Sequence, residues 1–136
     1  MNAENYIPRI TKEGKPFWDS VRRHRYIFQE CRACKSRVFP PRLRCPTCLS
    51  QNLRSVKATG KGKVYSYTVR YLYPPPGFKA PYVLALVDLE EGVRVLSQLV
   101  DSKSEDLRCG LDVEVVFEEV KAKFTLPKFR PRRHLQ

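Results

Sequence analysis

The chain has 136 residues, with 26 Lys and Arg against 14 Asp and Glu, and a formal net charge of +12. That length holds one domain or two very small ones, and no apolar run approaches the ~18 residues of a membrane span. Five cysteines, an odd number, fit a reducing compartment better than a secreted one. The first 25 residues carry charges throughout and no apolar run, so no signal peptide and no membrane partner are expected, and the expected location is the cytoplasm.

The positive charge is uneven. Residues 1–57 hold 13 Lys and Arg against 4 Asp and Glu, residues 58–123 hold 9 against 10, and residues 124–136 hold 4 against none. Such a field attracts nucleic acid, an acidic protein or a phosphorylated cofactor, although part of it is ordinary solvated charge.

Residues 1–25 read as an N-terminal helical segment. Pro16 can open a helix. Phe17, Trp18 and Val21, then Arg25 or Phe28, recur at helical spacing, with Arg22, Arg23 and His24 between them. This predicts a short amphipathic helix over about 15–24 and a strand over 26–30. Phe17 and Trp18 are expected to pack on the chain's own core. The competing reading places them at a partner, because Trp and Arg concentrate at interface hot spots.

Residues 26–57 contain Cys31-Arg32-Ala33-Cys34 and Cys45-Pro46-Thr47-Cys48, two C-x-x-C pairs separated by ten residues. Each pair closes a knuckle that aims two sulfurs at one point. Two knuckles supply the tetrahedral sulfur set of a structural Zn²⁺. Pro40-Pro41 turns the segment between them. Two disulfides are the competing reading, and a redox C-x-x-C has no need of a second copy. Iron is the other metal to weigh, because Cys-Pro-Thr-Cys is similar to a rubredoxin knuckle. Such knuckles usually carry Gly after the second Cys, where this chain has Lys35 and Leu49, and that departure favours zinc.

Residues 58–127 alternate as strands. Gly60-Lys61-Gly62 permits a sharp change of direction. Over 64–73, Tyr65, Tyr67, Val69, Tyr71 and Tyr73 are expected on one face and Val64, Ser66, Thr68, Arg70 and Leu72 on the other. Pro74-Pro75-Pro76-Gly77 ends that strand. Further strands are expected over 82–89, 93–100, 112–120 and about 122–126, with a polar break at 101–110. A long first strand, glycine near its start and a break between the third and fourth strands fit a five-stranded OB-fold barrel, with an unrelated sandwich as the alternative. Residues 128–136 read as a basic tail lying over another surface. The expected class is mainly β: an N-terminal helix, a zinc ribbon and an OB-fold.

The order of these parts carries a resemblance. Two knuckles around Pro40-Pro41-Arg42, then Gly60-x-Gly62-x-Val64-x-Ser66-x-Thr68, Pro81-Tyr82, and Gly110 before Val113-x-Val115 are similar to a family with a rubredoxin-like zinc ribbon followed by an OB-fold, once called a domain of unknown function. The resemblance covers roughly residues 15–120 and resembles, in archaea, the subunit bridging acetoacetyl-CoA thiolase and HMG-CoA synthase. It implies a non-catalytic scaffold that binds or shelters acyl-CoA beside a thiolase-like enzyme, HMG-CoA synthase included among the partners.

Coenzyme A needs cations for its phosphates and an aromatic for its adenine. The candidates are Phe78 and Lys79 in the proline-rich loop, and Lys128, Arg130, Arg132 and Arg133 in the tail, with the loop favoured because OB barrels bind through such loops. Tyr65, Tyr67 and Tyr71 read as packing residues. No catalytic residue is expected: Cys109 beside Gly110 reads as a small buried hydrophobe, and His24 and His134 sit in an Arg-rich helix and near the chain end. The alternative function is nucleic-acid binding, which zinc ribbons and OB-folds both perform. The near-neutral barrel segment speaks against it.

Overall fold

The structure, a computed structural model, describes residues 8–74, 79–120 and 124–133. Phe78 and His134 lie outside the described residues.

Helix α1 runs Lys15–Arg22, with Pro16 in its first turn. The Lys15 ammonium lies 3.0 Å from the Asp19 carboxylate one turn on. The helix stops two residues short of the sequence expectation because His24 takes φ 59°. The Arg25 N–H then donates to Ser20 O and the His24 N–H to Val21 O, both at 2.9 Å, which is a Schellman closure. The His24 ring stacks on Phe117 at 4.9 Å.

Strands β1 (Ile27–Cys31), β2 (Arg37–Val38) and β3 (Leu53–Lys57) form an antiparallel sheet in the order β2-β1-β3. Strands β4 (Lys61–Arg70), β5 (Tyr82–Leu89), β6 (Arg94–Leu99), β7 (Asp112–Val120) and β8 (Phe124–Pro131) close a barrel in the order β4-β5-β6-β8-β7. A single 3-10 turn, Ser104–Asp106, lies between β6 and β7. This is the zinc-ribbon and OB-fold arrangement expected from the sequence.

Helix, ribbon and barrel share one core. Phe17 is 5% exposed and meets Trp18, Tyr26 and Phe39 edge-on at 5.2–5.4 Å. Tyr26 in turn contacts Phe129 of β8 at 5.9 Å. Burial lifts the Tyr26 phenol above its ordinary pKa. Trp18 is partly buried and rests on Phe124 at 5.1 Å. The packing reading therefore holds for Phe17, which has no surface left for a partner.

Three expectations need correction. Tyr65 to Tyr73 do not share one face, because the β4–β5 register slips between Val64 and Ser66. The extra residue at this bulge, Tyr65, stays outside, 51% exposed, with the Arg94 guanidinium 3.5 Å from its ring centre. Beyond the bulge Tyr67 pairs with buried Ala85 but stays 39% exposed, its hydroxyl donating to Leu107 O at 3.2 Å, so it is not the packing residue expected. Second, residues 128–131 are barrel wall, not tail. Strand β8 pairs with β7 through to Val113↔Pro131, and its cations face β7 carboxylates. Lys128 Nζ lies 2.6 Å from Glu118 and Arg130 Nε 3.1 Å from Glu114. Strand β8 meets β6 at one parallel pair only, Leu99↔Phe129, so Pro127 and Pro131 cost few ladder bonds there. Third, Cys109 is exposed, because Gly110 at φ 90° turns the chain outward beside it.

Gly62 marks a close approach of strands β4 and β5. A Cβ there would stand 2.5 Å from Asp88 O and 2.9 Å from Val87 Cγ1, and the first neighbour is backbone. Gly62→Ala is expected to destabilise the barrel by about 2 kcal/mol, since the β4–β5 ladder must part to admit it. Chemical denaturation with an unchanged midpoint would contradict this packing.

Candidate metal centre and cofactor surface

The knuckles are built by backbone turns at the ends of β1 and after the Pro40-Pro41 loop. The Lys35 N–H donates to Cys31 O at 2.9 Å and the Leu49 N–H to Cys45 O at 2.8 Å. Backbone N–H groups also point at sulfur: Cys34 N to Cys31 Sγ at 3.5 Å and Thr47 N to Cys45 Sγ at 3.4 Å. The sulfurs of Cys31, Cys34, Cys45 and Cys48 all lie within 4.8 Å of one another.

Geometry excludes disulfides and fits a tetrahedral metal. Cys31 and Cys48 are 3.6 Å apart at sulfur, as are Cys34 and Cys45, far beyond the ~2.05 Å of a disulfide. Four sulfurs at ~2.3 Å from a central zinc stand about 3.8 Å from one another in a tetrahedron. The fit to zinc is close, and all four positions are protein ligands.

The thiols themselves ask for a cation. Hydrogen bonds from Ser36 hold Cys34 down at about 6, and the Cys34 N–H lowers Cys31. The Ser50 N–H lowers Cys48 too, but burial and the neighbouring sulfurs outweigh it and push Cys48 up to about 12. Ionising one sulfur raises the cost of ionising the next, and a central dication removes that conflict.

Lys35 and Leu49 occupy the position after each second cysteine, at φ 66° and 65°. The left-handed turn that glycine serves in rubredoxin-like knuckles is thus kept, with side chains forced into it. The missing glycines change strain and not geometry, so they do not discriminate zinc from iron.

The cofactor candidates are scattered. Lys79 lies in the β4–β5 loop. Arg133 shares a cleft of about 370 Å³ with Asp101, Glu114 and Arg130. Asp101 follows β6 two residues after Leu99, and Leu99 pairs with Val83. Lys79 and Arg133 therefore stand at the same end of the β5–β6 pair. Arg132 opens instead onto Lys63, Asp88, Glu90 and Asp112. Lys128 borders an apolar groove of about 270 Å³ that includes Trp18, Leu96 and Leu126. That groove gave no signal in the sequence beyond Trp18, because its leucines come from three strands.

Removing one ligand should unravel the ribbon. Cys45→Ser is expected to abolish stoichiometric zinc and to strip amide-exchange protection from residues 26–57, measured by elemental analysis and hydrogen exchange. The knuckle turns give a second test. Leu49→Gly should leave thermal stability equal or raise it by up to ~1 kcal/mol, whereas Leu49→Val should lower it by about 1–2 kcal/mol, since a β-branched residue tolerates positive φ worst.

Residues 18–54 match the rubredoxin-like zinc ribbon domain of ChsH2, and residues 55–118 match its C-terminal OB-fold domain. A DUF35 domain-containing scaffold protein of Methanocaldococcus jannaschii is 41% identical over 107 residues, covering 76% of each chain. A probable enoyl-CoA hydratase alpha subunit of Thermomonospora curvata is 38% identical over 124 residues, 91% of this chain. This chain spans only 39% of that subunit's length. The solved structure of an Ltp2-ChsH2(DUF35) aldolase superposes with a TM-score of 0.83 at 38% identity, covering 92% of this chain and 98% of that one. With both domains matched in order and a four-sulfur site of zinc dimensions, the chain belongs to the DUF35 family of zinc-ribbon and OB-fold proteins.

Proposed function

We propose that the chain is a non-catalytic partner subunit of an acyl-CoA enzyme and lends cationic contacts to that enzyme's coenzyme A site. The observation that carries the reading is the 41% identity, across three quarters of both chains, to a scaffold protein. The enoyl-CoA hydratase subunit among its relatives supports an acyl-CoA enzyme as the partner. A thiolase-like partner, with HMG-CoA synthase beside it, is the form that the family resemblance implies.

The residue inventory supports a scaffold. Cys109 is exposed and has no imidazole or carboxylate partner among the described residues. His24 is engaged by Phe117 and lies 4.0 Å from Glu119. The four knuckle sulfurs complete a tetrahedron, which leaves no position for a substrate water.

For the cofactor, we assign phosphate contacts to Lys79 and Arg133, which stand at one end of the barrel. Arg130 borders the same cleft but is committed to Glu114, as Lys128 is to Glu118. Arg132 faces the Lys63 and Asp112 cleft and is the weaker candidate. Nucleic-acid binding is the second reading, favoured by seven cations against one carboxylate in residues 26–57. Against it, Lys63, Arg94, Lys128 and Arg130 of the barrel are all held by barrel carboxylates, and a strand-tracking groove stays basic.

In the complex with the partner enzyme, Lys79→Ala and Arg133→Ala should each weaken CoA binding by roughly 1–3 kcal/mol, less at high salt. Calorimetric titration checks this, and unchanged affinity in both variants removes the cofactor role. Recovery of no acyl-CoA enzyme with the wild-type chain, together with tight binding of a labelled oligonucleotide at physiological salt, transfers the function to nucleic acid.

A further inference from the structure

The turn around the second knuckle carries two leucines that the fold does not use. Leu43 is 64% exposed and Leu49 is 66% exposed, two residues before Cys45 and one after Cys48. The Arg44 guanidinium donates to Leu49 O at 3.3 Å, and the Leu49 N–H donates to Cys45 O. Arg44, Cys45 and Leu49 therefore belong to one hydrogen-bonded turn, and Leu43 precedes it in the chain. Neither leucine is part of a hydrophobic cluster among the described residues. Leu49 is also held at φ 65°, where any side chain costs about 1 kcal/mol. A leucine here strains the backbone and wets apolar surface, and neither hydrophobic cluster of the described residues takes it up.

The surroundings define what could compensate them. Of seven cations in residues 26–57, Arg54 alone forms a close ion pair among the described residues, with Glu30 at 2.7 Å. Hydrogen bonding to Arg54 holds the Glu30 carboxyl below its ordinary pKa. Arg32, Arg42 and Arg44, on the knuckles and the loop between them, form no ion pair among the described residues, and Lys35 only shares the field of Glu30 with Arg54. The ribbon's rings are turned inward, with Tyr26 3% and Phe28 2% exposed and Phe39 packed on the core. A base therefore finds no stacking platform here.

We propose that this knuckle tip is a protein-docking surface. Leu43 and Leu49 enter an apolar notch on the acyl-CoA enzyme, and Arg32, Lys35, Arg42 and Arg44 meet an acidic rim around it. The inference rests on the partner-subunit reading and adds the surface to it. A second copy of this chain is excluded as the occupant by its own charge, since it would bring the same cations to the contact. An acidic rim also speeds the encounter.

The test uses the full-length, zinc-loaded chain. Wild-type protein captures the acyl-CoA enzyme from a lysate of its own organism, mass spectrometry identifies that enzyme, and affinities are then measured with it purified. Leu43→Ser and Leu49→Gly should each lose about tenfold or more in affinity, as buried interface anchors do. Leu49→Gly should do so with a thermal midpoint that is equal or higher, a combination that misfolding cannot produce. Arg44→Glu should slow association, with the difference shrinking as salt rises. Wild-type affinity in both leucine variants overturns the docking surface and leaves the subunit reading intact. Capture of no acyl-CoA enzyme by the wild type overturns both. Oligonucleotide binding that disappears in Arg44→Glu assigns the cations to nucleic acid and overturns the surface as well.

Discussion

Four sulfurs within 4.8 Å of one another are the constraint on which the N-terminal half depends. The ribbon has almost no apolar interior of its own. Its second cluster consists of Cys31, Val38 and Cys45, with Leu53 against it. A cluster of that size cannot offset the entropy of ordering about 30 residues. The cation that lets four thiolates coexist therefore also supplies most of the ribbon's cohesion, and the strands β2 and β3 inherit their placement from it.

The other source of cohesion is aromatic. Tyr26 leaves β1 toward the barrel, Phe39 leaves the knuckle loop, and Phe17 fills the space between them from the helix. Phe129 of β8 closes the same cluster from the barrel side. The helix is thus the wedge that fixes ribbon against barrel. Trp18, one residue on, rests on Phe124 and lines the groove beside Leu96 and Leu126.

Much of this was legible in the residue string, and the failures have local causes. The knuckles declare themselves because metal ligation demands paired cysteines at fixed spacing. The barrel strands declare themselves through alternation. The bulge at Tyr65 left no mark, because the tyrosine alternation continues straight through it while the register of β5 does not. Residues 128–131 read as tail, yet β8 continues through Pro127 and Pro131, because it has a full partner on one side only and tolerates them. Lys35 and Leu49 looked like departures from a pattern, whereas the backbone keeps the pattern and the side chains bear it. The cofactor surface was the least readable. Lys128 and Arg130 look like free cations until the β7 carboxylates opposite them are known.

The shared aromatic cluster sets the smallest segment that can be moved as a unit. A cut between residues 57 and 58 would leave Tyr26, Phe28 and Phe39 bare on one fragment and Phe129 bare on the other. Each fragment would present a contiguous apolar face, which is an aggregation surface. Any gene fusion that carries this segment into a longer polypeptide must therefore carry helix, knuckles and all five barrel strands together. Ribbon and barrel are two folds by shape but a single heritable piece.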